Sequence, residues 1–317
     1  MAAHRDFSNA PSTGEPLKDP KRAAEVKELL EGAVDLHVHS GPAVMPRILD
    51  HHDALMDAAG SKFKAILFKD HFYPGMAHAQ ILEKLFPETG VKLFSGVALN
   101  NACGGINPYA VDHCVKLGGK IVWMPTFSAK NHIEQYSGQA SSFPKTAQKM
   151  LDPLPLTVLD ANKKLTDETK QVLDLIAEGD IILASGHLHI SELFPLFDEA
   201  KKRGVKKMVV NHPTYVVGCS DEDMRQLAQM GVYLEQECAM FIDGKGRQFE
   251  PSDLAHYIKL AGADKTIICA DLGMGGGLRP VEGFRHIVSM LLDLQISRSD
   301  IKKMISTNSA KLLNLAA

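Results

Sequence analysis

Val34-Asp35-Leu36-His37-Val38-His39 reads as a short β-strand that ends in two imidazoles. Side chains alternate across a strand, so His37 and His39 share one face, while Val34, Leu36 and Val38 take the other and can pack on helices. Two neutral imidazole nitrogens side by side at a strand end supply half of a divalent-metal site. Three later strand ends give the pair weight, because they too finish in His or Asp: Gly186-His187-Leu188-His189, Asn211-His212 and Cys269-Ala270-Asp271.

Outward from that stretch, β-rich runs recur at residues 34–39, 65–71, 92–99, 120–125, 181–189, 207–212, 232–238 and 266–271. Helical patterns lie between them at 48–59, 78–86, 109–117, 167–178, 191–203, 221–230, 251–261 and 281–292. Ser220-Asp221 and Pro251-Ser252-Asp253 are helix starts, and Gly60, Gly179, Gly204 and Gly231 are stops. Alternation of this kind calls for a parallel sheet covered by helices. Eight units point to an α/β fold of the (β/α)8 TIM barrel type rather than an open sheet, for which no switch point is marked. Residues 31–317 are expected to form this single barrel domain. Residues 1–30 form an N-terminal extension with a helix at 20–30, placed to cap the barrel or a neighbouring subunit. The longest irregular stretch, 127–165, follows strand four and suits a lid or binding loop. The glycine run 273–277 lacks the spacing of a dinucleotide fingerprint and reads as an active-site loop.

Composition narrows the partners. The chain has 317 residues, 45% hydrophobic and 23% charged, with a formal charge of −3. So balanced a charge offers no electrostatic case for nucleic acid or an anionic membrane. There is no apolar run of about 18 residues to span a bilayer, and the first twenty residues lack the apolar core of a secretory signal. Five scattered cysteines, Cys103, Cys114, Cys219, Cys238 and Cys269, suit reduced thiols in a cytoplasmic protein. The expected partner is a small-molecule substrate, and a homo-oligomer is left open.

In a closed barrel the C-terminal ends of strands one, five, six and eight can converge on one axis, where barrel enzymes hold their chemistry. His37, His39, His187, His212 and Asp271 together offer the donors that zinc, or an octahedral ion such as manganese, requires. Singly, His212 fits a satisfied barrel histidine and Asp271 a cap or turn former; jointly they fit a metal. His187 and His189 share a parity, and only one of them is expected to coordinate. Lys69 and His71 share a face at the end of strand two and can bind a carboxylate or polarise a carbonyl. Arg47, Lys130, His132 and Arg279 lie on loops after strand ends and are candidates for anion recognition. Glu235 and Glu237 can face inward, with nothing in the sequence tying them to the metal.

On Asp35-Leu36-His37-Val38-His39, the single His residues of strands five and six, Asp271, and the tail from Ser306 to Leu315, the chain resembles the amidohydrolase superfamily of metal-dependent hydrolases. The resemblance spans residues 34–315. It implies a barrel and a metal-activated water. Two-metal relatives carry a bridging Lys or Glu at the end of strand four, whereas this chain reads Lys120-Ile121-Val122-Trp123-Met124-Pro125-Thr126-Phe127. One divalent ion per chain is therefore expected, zinc first and manganese second. Its ligands would be His37, His39, His187 and Asp271, with His212 coordinating or touching substrate. A modified Lys69 is the two-metal alternative. After Gly186, His187 matches the family position better than His189. His189, like Lys69, His71, Arg47 and Arg279, is a candidate for substrate binding on its position alone. His189 with Glu192 also spells the His-x-x-Glu of deaminases in this superfamily, although Ser191-Glu192 equally suits a helix start.

The reading is a hydrolase of an amide, cyclic amide, lactone or ester, with Asp271 as general base then acid and His212 steadying the oxyanion. The alternatives are a metal-dependent decarboxylase, a deaminase, and a non-catalytic metal- or ligand-binding barrel.

Overall fold

The computed structural model describes residues 19–136, 145–244 and 246–316. Eight parallel strands run in sequence order: β1 (Val34–Val38), β2 (Ala65–Phe68), β3 (Lys92–Ala98), β4 (Ile121–Trp123), β5 (Ile182–Ala184), β6 (Met208–Val210), β7 (Tyr233–Glu237) and β8 (Thr266–Cys269). Helices alternate with them, and the ring closes where Val38 pairs with Leu272 in parallel, His39 N–H donating to Leu272 O at 3.0 Å. This is the expected (β/α)8 barrel.

Alternating residues fill its interior. Leu36, Ala65, Leu67, Ala98, Trp123, Ile182, Val209 and Ile267 form one buried cluster, plugged from below by Ala310 and Leu312 of the closing helix Asn308–Leu312 and by Leu313 just after it. Asn308 anchors that helix by donating to the carbonyls of Ala263 (2.8 Å) and Thr266 (2.7 Å). The other strand faces carry Val38, Ile66, Phe68, Val97, Val122, Leu183 and Val210 and pack under the surrounding helices. The helix Pro20–Leu30 lies where expected, with Val26, Leu29 and Leu30 buried in the outer cluster and Arg22 paired to Asp293 at 2.7 Å.

The first strand departs from simple alternation. Asp35 pairs with Ile66 and Val38 with Phe68, so β1 spends one residue more than β2 over the same span. This bulge reverses parity. Val34 and Leu36 join the interior cluster, and only Val38 packs on the helices, correcting the expectation that all three share the helical side. Asp35 holds the irregularity in place: its Oδ1 accepts from His37 N at 2.9 Å and from Ala270 N at 3.1 Å, stitching β1 to β8. The Asp35 side chain is buried among Val38, Ala54, Phe63 and Ile66, and burial pushes its carboxyl up to about 7 despite those two backbone donors.

The stretch after β4 carries a helix at Lys130–Tyr136 and backbone pairings Ala129–Leu156 and Leu159–Leu165; residues 137–144 of the expected lid lie outside the described residues. The glycine run is laced to the loop after β1, through Ile48 N to Gly273 O (3.0 Å) and Gly275 N to Pro46 O (3.0 Å). Among the described residues no helix is long and apolar enough to cross a membrane.

Candidate metal centre

Three strand ends turn sharply at the C-terminal mouth, each through a residue in the left-handed region: Gly186 (φ +57°) after β5, His212 (φ +48°) after β6 and Asp271 (φ +48°) after β8. A Cβ on Gly186 would meet Met124 O at 2.1 Å, so only glycine fits there. His212 and Asp271 have no such exemption. Left-handed backbone at a non-glycine residue costs on the order of 1 kcal/mol or more and collects at functional sites.

The bulge, β2 and β8 bring a first group together. Asp271 Oδ1 lies 3.1 Å from His37 Nε2 and 3.0 Å from His39 Nε2. Lys69 Nζ reaches the same His37 Nε2 at 2.9 Å. His37 Nδ1 faces Glu235 Oε1 at 2.5 Å, and His39 Nδ1 donates to Lys69 O at 2.9 Å. His212 Nε2 stands 3.8 Å from Asp271 Oδ2, so His37, His212 and Asp271 each present a ligand atom within 4.8 Å of the others.

The protonation pattern is informative. Burial pushes His39 down to about 3, with Arg47 adding to the effect. A carbonyl can only accept, so the hydrogen of this neutral ring sits on Nδ1 and a lone pair on Nε2. That lone pair faces a carboxylate oxygen at 3.0 Å with no hydrogen to share. Two acceptors so placed repel, and a cation between them resolves the conflict. Burial and Lys69 also press His37 down, but Asp271 and Glu235 outweigh them and raise it to about 9. Asp271 behaves in reverse: burial would lift its carboxyl, yet His37, with His212, holds it well below the usual range. Two Nε2 atoms, a third imidazole and an ionised carboxylate in a dry pocket fit a divalent ion.

A second group lies on the β4–β6 side. His187 Nδ1 is 2.9 Å from His132 Nδ1, and the His187 ring is 5.3 Å from that of His212. Burial and the neighbouring His132 hold His187 well below its ordinary value, and burial puts His132 at about 4. His71 stacks on Phe127 (4.0 Å) and His39 (5.1 Å), with its Nδ1 2.9 Å from Thr126 Oγ1. The Arg47 side chain is 3% exposed and touches Asp70 Oδ2 at 3.3 Å, while its Nε and Nη1 have no hydrogen-bond partner among the described residues.

Three expected residues are not brought to the cluster. His189 is exposed and caps the helix Ile190–Lys202, accepting from Ser191 N at 3.2 Å, because β5 ends at Ala184 and strand parity does not extend to it. Its deaminase partner Glu192 instead accepts from Val158 N (3.1 Å) and Thr157 Oγ1, pinning the segment after β4. Arg279 is 46% exposed and pairs with Asp57 at 2.8 Å. Lys130 is likewise exposed, beside Glu134 at 3.7 Å. The sequence marks the β7 carboxylates Glu235 and Glu237 as able to face inward but does not tie them to the site; the structure sets them against His37 and His212.

The chain belongs to a family of unknown function (DUF6282), whose sequence pattern matches residues 32–235. No curated protein matches it in sequence. Among solved structures it is similar to an amidohydrolase from Pseudomonas aeruginosa (13% identity, TM-score 0.64, covering 92% of this chain and 98% of the other). It is also similar to the probable dipeptidase PvdM from Pseudomonas aeruginosa (13%, 0.63, 94% and 98%). A third similar structure is the 2,6-dihydroxybenzoate decarboxylase from Rhizobium (13%, 0.52, 90% and 99%). The fold is the one that the resemblance to the amidohydrolase superfamily implied.

Proposed function

We propose that this protein is a metal-dependent hydrolase that cleaves an amide, cyclic amide, lactone or ester bond in a small molecule. The observation that carries the reading is the lone pair of His39 Nε2 set against Asp271 Oδ1 at 3.0 Å, a contact that calls for a cation. His37, His39 and Asp271 would hold one divalent ion, zinc first and manganese second, with His187 and His212 as the remaining donors. Such an ion, when bound, lowers the pKa of a coordinated water to about 7 and polarises a carbonyl. Asp271, kept ionised by its imidazole neighbours, takes the proton of the attacking water and returns it to the leaving group. His212 Nε2 faces Asp271 Oδ2 from 3.8 Å and is positioned to donate to the developing oxyanion. Five free thiols are in keeping with a cytoplasmic setting.

Arg47 bears on the substrate. A buried guanidinium with two unpartnered nitrogens leaves a desolvation cost that a carboxylate ligand would offset. That feature also favours the second reading, a decarboxylase. The test is elemental metal content per chain on protein purified without chelator, followed by assay of amides, lactones and carboxylated aromatics in 18O-water. One ion per chain and 18O in the product support the hydrolase, and CO2 release without 18O uptake supports the decarboxylase. Absence of metal uptake, or full activity in His37→Ala or Asp271→Asn, overturns the site.

A further inference from the structure

Strand β7 carries two carboxylates that the mechanism above does not use. Tyr233 of β7 belongs to the interior cluster, so Glu235 and Glu237 point the same way, toward the barrel mouth. Their exposures are 1% and 2%. A buried carboxylate is costly unless its oxygens are matched, and structural strands avoid such residues. Here each lies against one histidine of the candidate centre. Glu235 Oε1 lies 2.5 Å from His37 Nδ1 while its Oε2 accepts from Asn211 Nδ2 at 2.9 Å, so the carboxylate is fixed at both ends. Glu237 Oε1 accepts from His212 N at 2.8 Å, holding the backbone of the strained turn, and stands 3.1 Å from His212 Nδ1 outside hydrogen-bond geometry, an electrostatic contact with the ring.

We infer that Glu235 and Glu237 are positioning residues with separate tasks, Glu235 setting metal affinity through His37 and Glu237 setting the orientation of His212 toward the reacting group. The inference rests on the metal reading of the same site. A carboxylate on Nδ1 keeps the hydrogen there, leaves the lone pair on Nε2, and makes that nitrogen a stronger donor. His37 Nε2 is 3.1 Å from Asp271 Oδ1, so Glu235 acts where the ion would sit. His212 Nε2 is 3.8 Å from the other oxygen, so Glu237 acts one step away from it. Asn211, next in chain to His212, clamps Glu235 and couples β6 to β7 without merging the two tasks.

The experiment compares wild type, Glu235→Gln, Glu235→Asp and Glu237→Gln. Zinc affinity is measured by competition with a chromophoric chelator, and histidine tautomers by 15N NMR on the metal-free chain. Glu235→Gln is expected to weaken zinc binding about 10- to 100-fold, and Glu237→Gln by less than about threefold. Glu235→Asp, which keeps the charge, is expected to recover part of the loss and covers the case in which the Gln variant does not fold. In metal-free spectra recorded above pH 9, where His37 is neutral, its Nδ1–H tautomer is lost only in Glu235→Gln, and the ring resonances of His212 move only in Glu237→Gln. Equal weakening of zinc in both Gln variants, or unchanged His37 and His212 resonances, overturns the inference. A wild-type chain that takes up no zinc overturns the metal reading itself, and the histidine resonances then judge the two contacts on their own.

Discussion

His37 and His187 are the same residue type, both buried at the mouth of one barrel, and their surroundings drive them in opposite directions. On the β8–β1–β2 side, burial and Lys69 push His37 down, but Asp271 and Glu235 reverse the effect and lift it to about 9. On the β4–β6 side, burial dominates, His132, His212 and Lys69 add to it, and the smaller pull of Asp271 does not offset them, so His187 falls well below its ordinary value. One side is a charged nest of Asp271, Glu235, His37 and Lys69; the other is a wall of neutral imidazoles and rings, with Phe127 5.1 Å from His132 and 4.0 Å from His71. Ionic chemistry is concentrated on the first side. The second is equipped to orient and enclose.

The sharpest way to break this contrast is to remove the anion at its centre. Asp271→Asn leaves the left-handed turn tolerable, since Asn accepts that backbone, but deletes the charge. Loss of bound metal and of turnover is expected, with zinc affinity down more than about 100-fold, beyond what outer-shell residues usually cause. Retained metal in chelator-free preparations would end the assignment. His132→Ala acts on the other side by releasing His187 Nδ1. Metal content should stay at the wild-type level while kcat drops roughly tenfold, as for the loss of an orienting partner. Metal loss as large as in Asp271→Asn would make His187 as strong a donor as Asp271 and end the contrast between the two sides.

Arg47→Ala leaves both sides standing and removes the enclosed guanidinium. For substrates with a carboxylate the expected cost is about 1.5–3 kcal/mol, seen in KM more than in kcat, because a charged hydrogen bond is lost. Neutral analogues should be unaffected, and an equal effect on both would remove Arg47 from recognition. The smallest effect concerns stability. His51, tied to Ser40 at 2.5 Å and Tyr73 at 3.1 Å, is lowered by burial to about 4. The unfolded chain binds that proton from about pH 6.5 downward, so stability is full above 6.5 and falls as pH drops toward 4. Denaturant melts of the metal-free chain should show up to about 3 kcal/mol from this residue across that window. A His51→Gln variant with the same slope would assign the loss elsewhere.

Much of this molecule was legible before any coordinates. Eight β-rich runs with helices between them specified the barrel, since alternation of periods leaves few other ways to cover a parallel sheet. His37, His39, His71, His212, Lys69 and Asp271 were marked because polar residues at the ends of apolar strands have few structural reasons to be there. His189 and Arg279 lie apart from the cluster for different reasons: β5 ends at Ala184, so parity does not reach His189, and a place on a loop after a strand does not fix where Arg279 points, here to Asp57. The β7 carboxylates were visible as letters, yet a buried Glu gains meaning only from the imidazole opposite it, which lies two strands away in β1.

The sequence alone determined the class of fold, the end of the barrel that carries the chemistry, and the residue types on offer there, because these follow from local periodicity and from the cost of burying polar groups. Tertiary structure decided which of those residues meet. The bulge in β1 turns both His37 and Leu36 inward, against the alternation that the sequence implies, and it exists because Asp35 bonds His37 N and Ala270 N from the far side of the sheet. That contact joins residues 235 positions apart, and only chain closure brings them together.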